Sequence, residues 1–502
     1  MQQTKKVAII AIAVLSLVIF ATANQGLAKI SKETMESIST PDKVETRYGT
    51  LEFFDGFPTK ETIDKAYDNL DFLRGVEAFL TAIPAASVYA IHQGLKDAGA
   101  VDGTIGLFET LMDSKSLFLT ANTESMYAWT WLDLKNGPIV VESPSNVLGF
   151  VCDGWFRFVA NMGNVGPDKG KGGKYLFIPP DYEGEVPDGY YVFKSPTYGN
   201  YIMWRGFLVD GKPDAAVKNF RKNARIYPLS KAANPPKGSF VNLSGKELNT
   251  IHANNFHFYE EVNAVIQTEP SEAFNPEILG ILASIGIEKG KPFNPDARMK
   301  KILEESAAFA NATSRAISFS TRDKEAYYYP DSFWKTGFIG GNHEFMNNGV
   351  FNLDARTLFH YLATGITPAM ALKMVGAGSQ YAYTEHSKDG NYLDGGKNYV
   401  LHMPAGIPAK DFWSIILYDP QTRSMLQTDN PFPSVSSLTG SMKQNKDGSY
   451  DVYFGPKAPK GKENNWVQTV PKKGWFPIIR LYGPLDSWFD KTWRPGEIEL
   501  TR

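Results

Sequence analysis

The chain has 502 residues, of which 43% are hydrophobic and 13% aromatic, with 52 Lys and Arg against 54 Asp and Glu. A formal charge of −2 leaves no basic footprint, so we expect no nucleic-acid partner. This length exceeds one hydrophobic core, and 44 Gly with 31 Pro favours strands and turns. Cys152 is the only cysteine, which excludes an intramolecular disulfide.

The N-terminus predicts an exported protein. Lys5 and Lys6 precede an apolar run over residues 7–20, and Ala21-Thr22-Ala23 supplies the small-x-small pattern of a cleavage site. The run is shorter than the roughly 20 residues that span a bilayer, which favours a signal peptide over residues 1–23 against an anchor. No later segment has the length of a membrane span. We therefore expect a periplasmic or secreted protein with no membrane span after cleavage.

The periodicity of the chain changes along its length. An N-terminal extension over residues 24–58 precedes helical spacing over 59–99, where Thr59 can cap a first helix and Pro84 can begin a second. Short strand-like runs between turn signals then follow as far as residue 213. These runs lie at 116–120, 125–134, 138–142, 150–159, 174–179, 190–194 and 201–209.

Helical patterns return from 214 to about 326, and strand signals run from 399 to 481. The helices are expected at 215–226, 248–267, 276–285 and 295–319. We therefore predict a multidomain, mainly β protein with α-helices. A β-sandwich or barrel domain with leading helices would occupy 59–213, a helical middle domain 214–340 and a second β domain 341–502.

Segments in both β regions resemble known families. Residues 122–138, 175–184 and 195–197 read NTESMYAWTWLDLKNGP, YLFIPPDYEG and SPT, which resembles the family called domain of unknown function 1254. Residues 399–404, 411–419, 445–449, 465–466, 479–484 and 493–495 read YVLHMP, DFWSIILYD, NKDGS, NW, IRLYGP and WRP. These are similar to the companion family, domain of unknown function 1214. The resemblance implies an exported bacterial protein with an N-terminal β domain, a helical middle domain and a C-terminal jelly-roll-like domain. It brings no agreed activity and no catalytic residues.

The common enzyme signatures are missing from the sequence. It contains no Gly-x-Ser-x-Gly elbow, phosphate loop, His-Glu-x-x-His pair or dinucleotide fingerprint. His257 and Glu261 are four residues apart and share a helical face, but a metal site needs a third ligand. We therefore predict no metal site, and the catalytic residues and any cofactor stay unknown.

The first candidate ligand-binding group lies in the strand-like run at 125–134. Tyr127, Trp129 and Trp131 share one face of a strand there. Such a row either stacks on a sugar ring or another flat ligand, or fills the core of the domain. Asn122 and Glu124 would lie at the mouth of the strand, where binding groups are common.

Two arginines form the second candidate group. Strand alternation points Arg205 and Arg480 at apolar faces, so we predict that both are buried and hydrogen-bonded. A buried guanidinium needs an anion, because an unpaired buried charge is very costly. That anion is either a structural carboxylate such as Asp153 or Asp419, or the carboxylate or phosphate of a ligand.

His402 and Trp413 complete the candidate ligand-binding residues. Ser414 follows Trp413 and would need an adjacent base to act as a nucleophile. His402 would supply that base if its strand lay beside the strand of Ser414. The alternative is that both residues have structural roles.

Two functional hypotheses follow from these patterns. In the first, an exported envelope protein handles a small or carbohydrate-like ligand in an interdomain cleft, with hydrolysis as a candidate reaction. In the second, it is a periplasmic binding or structural protein without chemistry. The expected partner is a small-molecule ligand, and the sequence leaves both a monomer and a homo-oligomer open.

Overall fold

The computed structural model describes residues 30–501, so the predicted signal peptide lies outside the described residues. The chain forms two compact units, and the boundary between them falls between Leu70 and Asp71. The first unit contains a short helix and an antiparallel sheet of order β1-β2-β3. These elements are α1 (Lys32–Ile38), β1 (Lys43–Thr46), β2 (Gly49–Phe54) and β3 (Phe57–Pro58).

A single long helix, α2 (Lys60–Asp97), replaces the two helices expected over 59–99. Pro84 lies inside this helix and does not begin a new one. Proline removes one backbone hydrogen bond and usually kinks or ends a helix. Here Ile83 and Ala85 on either side are fully buried, so tertiary packing holds the helix through the proline.

The N-terminal β domain is built from two packed sheets. Its strands are β4 (Ile105–Leu107), β5 (Ser116–Leu117), β6 (Met126–Asp133), β7 (Ile139–Ser143), β8 (Val147–Asp153), β9 (Phe158–Gly163), β10 (Gly173–Ile178), β11 (Tyr191–Lys194), β12 (Gly199–Gly206), β13 (Arg225–Pro228), β14 (Phe240–Asn242) and β15 (Leu248–Asn249). A six-stranded sheet has the order β14-β4-β6-β12-β8-β9, and a four-stranded sheet has the order β11-β10-β7-β13. Within residues 30–501 no sheet closes into a barrel. This region is therefore a sandwich.

Both faces of the six-stranded sheet are buried. Ala128 and Trp204 point into the core shared with the four-stranded sheet. Their neighbours Trp129 and Met203 point the other way, into a larger core that includes most of the helices. Since side chains alternate along a strand, one face stabilises the sandwich and the other is available for packing against the rest of the unit.

Helices and short strands alternate in the middle of the chain. The helices are α3 (Asp214–Asn223), α4 (His257–Thr268), α5 (Pro276–Ser284), α6 (Ala297–Phe319), α7 (Leu353–Leu362) and α8 (Pro368–Ala371). The helix expected over 248–267 begins only at His257, because Leu248 pairs with Ser116 in a parallel ladder. Strands β13 and β14 also pair with the N-terminal sheets.

The C-terminal β domain also contains two four-stranded sheets. Its elements are β16 (Met346–Asn347), β17 (Val350–Phe351), β18 (Ser379–Tyr383), β19 (Tyr399–Met403), β20 (Ala409–Tyr418), β21 (Ser434–Ser436), β22 (Tyr450–Gly455), β23 (Trp466–Gln468), β24 (Phe476–Pro484), β25 (Ile498–Leu500) and α9 (Asp486–Phe489). The sheet orders are β18-β24-β20-β21 and β23-β22-β19-β25. Ile415, Leu417 and Val452 lie in the core between them. The predicted class, a multidomain β-rich fold with helices, is confirmed, and the jelly-roll-like connection stays a prediction.

The outer face of the first C-terminal sheet is buried as well. Ile416, Tyr418 and Ile478 belong to the same large core as Trp129 and Met203. The two β domains therefore meet through sheet faces, and loop contacts such as the hydrogen bond from the Thr120 N–H to the Arg423 carbonyl add to this contact. Within the described part of the chain, no helix has the length and apolar character needed to cross a membrane.

Candidate functional site

Two facing rows of side chains, one from each β domain, bring the predicted arginines together. In the N-terminal sheet, strand pairing places Arg205 between Tyr127 and Leu148. In the C-terminal sheet, Arg480 lies between two cross-strand neighbours, Tyr381 on β18 and Ser414 on β20. Directly opposite residues on neighbouring strands point to the same face, so each arginine belongs to a row of three side chains.

Four side chains of these rows border a cavity of about 80 Å³. Arg205, Arg480, Tyr127, Tyr381 and Tyr383 line it with polar groups. The remaining wall is mostly apolar and is supplied by Leu119, Met203, Phe338, Leu358, Phe359, Leu362, Met370 and Ile478. The cavity therefore combines a cationic region with an apolar wall, the combination typical of sites that hold a small organic molecule in one orientation.

Arg480 is partly satisfied by the protein itself. It is 4% exposed, and its Nη2 donates hydrogen bonds to the Thr120 carbonyl and, at 2.9 Å, to the Tyr418 hydroxyl. Its Nε has no hydrogen-bond partner among the described residues. The predicted burial and the predicted bond to a backbone carbonyl are both present.

Arg205 is buried without comparable partners. It is 6% exposed, and neither its Nε nor its Nη1 has a hydrogen-bond partner within residues 30–501. The rings of Tyr127 and Tyr482 lie 5.9 Å each from its guanidinium carbon. Burial is as predicted, but the fully hydrogen-bonded state expected for this side chain is not formed.

The carboxylates considered as structural partners are engaged elsewhere. Asp153 accepts a hydrogen bond from Arg157 Nε at 2.7 Å, and Asp419 pairs with Lys473. In the described part of the chain no carboxylate contacts Arg205 or Arg480. The sequence left two sources of an anion open, and the expectation of a structural carboxylate is wrong. Asp153 and Asp419 do not pair with these arginines because each of them pairs with a different cation.

The two guanidiniums act strongly on the surrounding tyrosines. Burial raises the pKa of Tyr418 and of Tyr482 above the ordinary value, although the arginines oppose this shift. At Tyr381 burial also acts upward, but Arg205 and Arg480 together outweigh it, so the pKa of Tyr381 is lowered. Tyr482 also lies near both cations, and Tyr381 differs from it because the arginines outweigh burial there.

Asn122 connects the mouth of strand β6 to this cluster. Its side-chain Nδ2 donates to the Tyr482 hydroxyl at 2.8 Å, and its Oδ1 accepts from the backbone N–H of Glu124 at 3.0 Å. The carboxylate of Glu124 in turn accepts from the Ser434 hydroxyl at 3.0 Å. Both predicted residues are buried but do not line the cavity, and Asn122 holds Tyr482, whose ring lies 5.9 Å from the Arg205 guanidinium carbon.

The aromatic row on β6 divides between the cavity and the core. Tyr127 lines the cavity, whereas Trp129 is fully buried next to Phe118 and Tyr201. Trp131 stacks on the ring of His92 with centroids 4.1 Å apart. The row therefore fills the core and offers no open platform for a sugar.

The structure does not bring His402 or Trp413 to the cavity. His402 is exposed on β19, in the other sheet, and pairs with Asp451 at 2.8 Å. Trp413 points into the core between the C-terminal sheets, where it packs on Tyr450. Ser414 is fully buried beside Arg480, and its hydroxyl has no partner in the described chain. The proposed pairing of Ser414 with His402 is therefore not formed, because their strands belong to different sheets.

Several residues of the site were not found from the sequence. Tyr381 comes from β18, and Leu358 and Phe359 come from α7, both in a stretch for which we predicted no elements. Two signals were present: Asn352, whose side chain caps α7, and the alternation of Tyr381 with Tyr383. Neither signal identifies a site without the pairing of β18 with β24.

The described residues contain no group of three or more His, Cys, Asp or Glu side chains that could hold a metal ion. The pair considered in the sequence separates in the structure. His257 Nδ1 contacts Glu260 at 2.5 Å, while Glu261 accepts hydrogen bonds from the backbone N–H of Ala253 at 3.1 Å.

Fold and site together define a protein of two β domains with a buried cationic cavity where their sheets meet. Residues 103–228 match the model described as Protein of unknown function (DUF1254), and residues 378–486 match Protein of unknown function (DUF1214). The chain therefore has the two-domain DUF1254/DUF1214 architecture, in this order, and the resemblance identified in the sequence is confirmed.

Solved structures similar to this chain include the VPA0106 protein from Vibrio parahaemolyticus. It is 20% identical with a TM-score of 0.54, and the match covers 86% of this chain and 100% of that chain. A putative uncharacterized protein from Burkholderia cenocepacia is 13% identical with a TM-score of 0.39, covering 87% and 95% of the two chains. The first likeness shows the fold alone. No curated protein matches this chain.

Proposed function

We propose that this protein binds a small organic anion in the cavity between its two β domains, and that it does so in the periplasm after removal of its signal peptide. The observation that carries the proposal is Arg205. Arg205 borders the cavity and is only 6% exposed. Two of its donor nitrogens have no hydrogen-bond partner in the described chain. No carboxylate of the described chain contacts this cation, so an anion that enters the cavity would stabilise it.

The position of the second arginine supports binding of a carboxylate or phosphate head group. Burial lowers the pKa of Arg205 and Arg480, but the tyrosine oxygens around them outweigh it and raise both values, so both stay charged. Guanidinium groups bind carboxylates and phosphates through several directed hydrogen bonds. Arg205 Nε and Nη1 and Arg480 Nε are free for this role.

The size and the wall of the cavity favour a short ligand with an apolar part. The volume of about 80 Å³ is near half that of a roughly 150 Å³ cavity known to admit benzene in another protein. A short-chain carboxylate such as propanoate fits this description. The many apolar side chains favour such an acid over a carbohydrate, whose hydroxyls would lack partners.

The surroundings of Ser414 favour binding over hydrolysis. A serine nucleophile needs a general base within hydrogen-bond reach. His402 lies in the other C-terminal sheet and pairs with Asp451, and Arg480 beside Ser414 cannot accept a proton. We therefore propose a binding function and assign no reaction.

Isothermal titration calorimetry with propanoate tests the proposal. We expect binding to the wild-type protein and loss of binding in Arg205→Met, which keeps the side-chain volume but removes the charge. Propanamide, which matches propanoate in shape without its charge, is expected not to bind. Equal binding of propanamide and propanoate, or binding unchanged in Arg205→Met, would refute the proposal.

Arg157→Met provides the matched control for this experiment. Arg157 belongs to the same β domain, but it pairs with Asp153 and does not line the cavity. Removing its charge should leave propanoate binding unchanged. A similar loss in both variants would point to a general effect of net charge and would contradict a specific site.

A further inference from the structure

The charges at the cavity do not balance if only one carboxylate enters. Arg205 and Arg480 carry two positive charges, and no carboxylate of the described chain contacts them. A bound monoanion neutralises only one of these charges. Low-dielectric surroundings make the remaining charge costly, so a second negative group is needed.

Tyr381 has the geometry to supply that second negative group. It lines the cavity and lies directly opposite Arg480 in the strand register. The Arg480 guanidinium carbon lies 5.2 Å from the centre of its ring, and its hydroxyl is 2.5 Å from the Ser379 hydroxyl. A serine hydroxyl can donate to a phenolate oxygen, so Ser379 stabilises the ionised form of Tyr381.

Two other tyrosines of the cluster, Tyr418 and Tyr482, favour the neutral form. The Tyr418 hydroxyl donates to the Ala121 carbonyl at 2.6 Å, which requires its proton. Burial raises the pKa of both Tyr418 and Tyr482 despite the nearby arginines. At Tyr381, in contrast to these two, the guanidiniums outweigh burial and lower the pKa.

We propose that Tyr381 is ionised in the folded protein and serves as the resident counter-anion of Arg205 and Arg480, so that the cavity admits a monoanion and discriminates against a dianion. This inference rests on the proposed anion-binding function and names its ligand class, a small monoanionic acid with an apolar part. The site with Tyr381 ionised and one monoanion bound is electrically neutral.

Every titratable or charged group that faces Tyr381 enters this balance. These groups are Arg205 from β12, Tyr127 from β6, Arg480 and Tyr482 from β24, Tyr418 from β20, and Tyr383 from its own strand. The walls supplied by α7 and by the segment before it contribute apolar side chains. Both arginines favour the ionisation of Tyr381 and of Tyr482, but they outweigh burial at Tyr381 and do not at Tyr482.

A pair of ligands that differ by one charge tests the inference. Malonamate and malonate have the same number of non-hydrogen atoms, but the first is a monoanion and the second a dianion at neutral pH. By calorimetry we expect the wild-type protein to bind malonamate more tightly. In Tyr381→Phe, which lacks the phenolate charge, this preference should shift toward malonate on the order of tenfold.

Tyr418→Phe is the matched control, because it removes a cluster hydroxyl that is held neutral. It should keep the wild-type preference for malonamate. An ultraviolet difference titration should also reveal one tyrosinate below the ordinary range in the wild-type protein, and Tyr381→Phe should lack it. A preference unmoved by Tyr381→Phe, or a missing tyrosinate signal, would overturn the inference.

The outcomes separate this inference from the proposed function. If neither acid nor propanoate binds the wild-type protein, anion binding itself fails and the inference fails with it. If propanoate binds in an Arg205-dependent manner but Tyr381→Phe leaves the charge preference unchanged, the binding function stands and the role of Tyr381 is refuted.

Discussion

Two buried cationic regions of this protein differ in how their positive charge is compensated. Lys335 is fully buried, and its Nζ lies 2.5 Å and 2.7 Å from the carboxylate oxygens of Glu385, with a further bond to the Phe319 carbonyl at 3.0 Å. Arg205 and Arg480 are buried to a similar degree without any carboxylate contact in the described chain. The first region pairs its cation with a carboxylate of the chain, whereas the second holds two guanidiniums without one among the described residues.

Arg423 shows that burial without a carboxylate is not by itself a sign of a ligand site. It is 0% exposed to solvent and donates to the carbonyls of Tyr361 at 3.2 Å and Gln421 at 3.1 Å. Its guanidinium also lies 4.0 Å from the centre of the Tyr361 ring. What distinguishes Arg205 is that its free donors border a cavity.

The largest effect is expected where a resident pair is broken. Glu385→Gln removes the charge opposite Lys335 and leaves an uncompensated buried ammonium, which should lower the free energy of unfolding by about 3–5 kcal/mol. Urea denaturation measures this change. The control is Glu499→Gln, whose partner Lys388 is mostly exposed and whose loss should cost under about 1 kcal/mol. Equal losses of stability in the two variants would contradict a special role for the buried Lys335–Glu385 pair.

The two arginines should differ from each other in a second experiment. Arg480→Met removes bonds to the Thr120 carbonyl and the Tyr418 hydroxyl, and should cost about 1–3 kcal/mol in the absence of ligand. Arg205→Met leaves Arg480 as the single cation beside Tyr381 and so removes the excess positive charge, and the same measurement should find stability unchanged or increased. A loss of several kcal/mol in Arg205→Met would instead assign that residue a structural role.

Two buried histidines differ from both cationic regions because burial favours their neutral, deprotonated form. Burial lowers the pKa of His252 and of His360 to about 3, with nearby arginines acting in the same direction. The unfolded chain binds these protons near pH 6.5 and the folded chain does not. Stability should therefore fall as pH drops from about 6.5 toward 3, by about 1.4 kcal/mol per pH unit for each histidine.

His360→Phe tests whether this histidine contributes to the loss of stability at low pH. The ring packs against Phe156 and Phe345, so phenylalanine is a suitable replacement. Urea denaturation at several pH values below 6.5 should show a shallower loss of stability in the variant than in the wild-type protein. An unchanged slope would mean that His360 keeps a proton in the folded state.

Strand alternation was sufficient to find the arginines but not their surroundings. Arg205 and Arg480 each interrupt an apolar face, and the structure buries both. Alternation cannot tell which face of a doubly buried sheet borders a cavity, so Trp413 was grouped with them although it points the opposite way. His402 was included because sequence cannot assign its strand to a sheet.

The rest of the site depends on contacts between distant parts of the chain. Tyr381 joins it only because β18 pairs with β24, about a hundred residues further on. Asp419, one of the two carboxylates considered as partners of the arginines, pairs with Lys473 instead, which no local pattern indicates. Element types in the N-terminal domain were predictable since its strands are short, alternating and bounded by turns.

The most direct test of the central claim is a crystal structure of the protein grown in bromide, a monoanion located by its anomalous scattering. We predict a bromide between Arg205 and Arg480 in the wild-type protein, its loss in Arg205→Met, and none beside Lys335, whose charge Glu385 already neutralises. Bromide found only at surface cations, with none between the two arginines, would contradict the account.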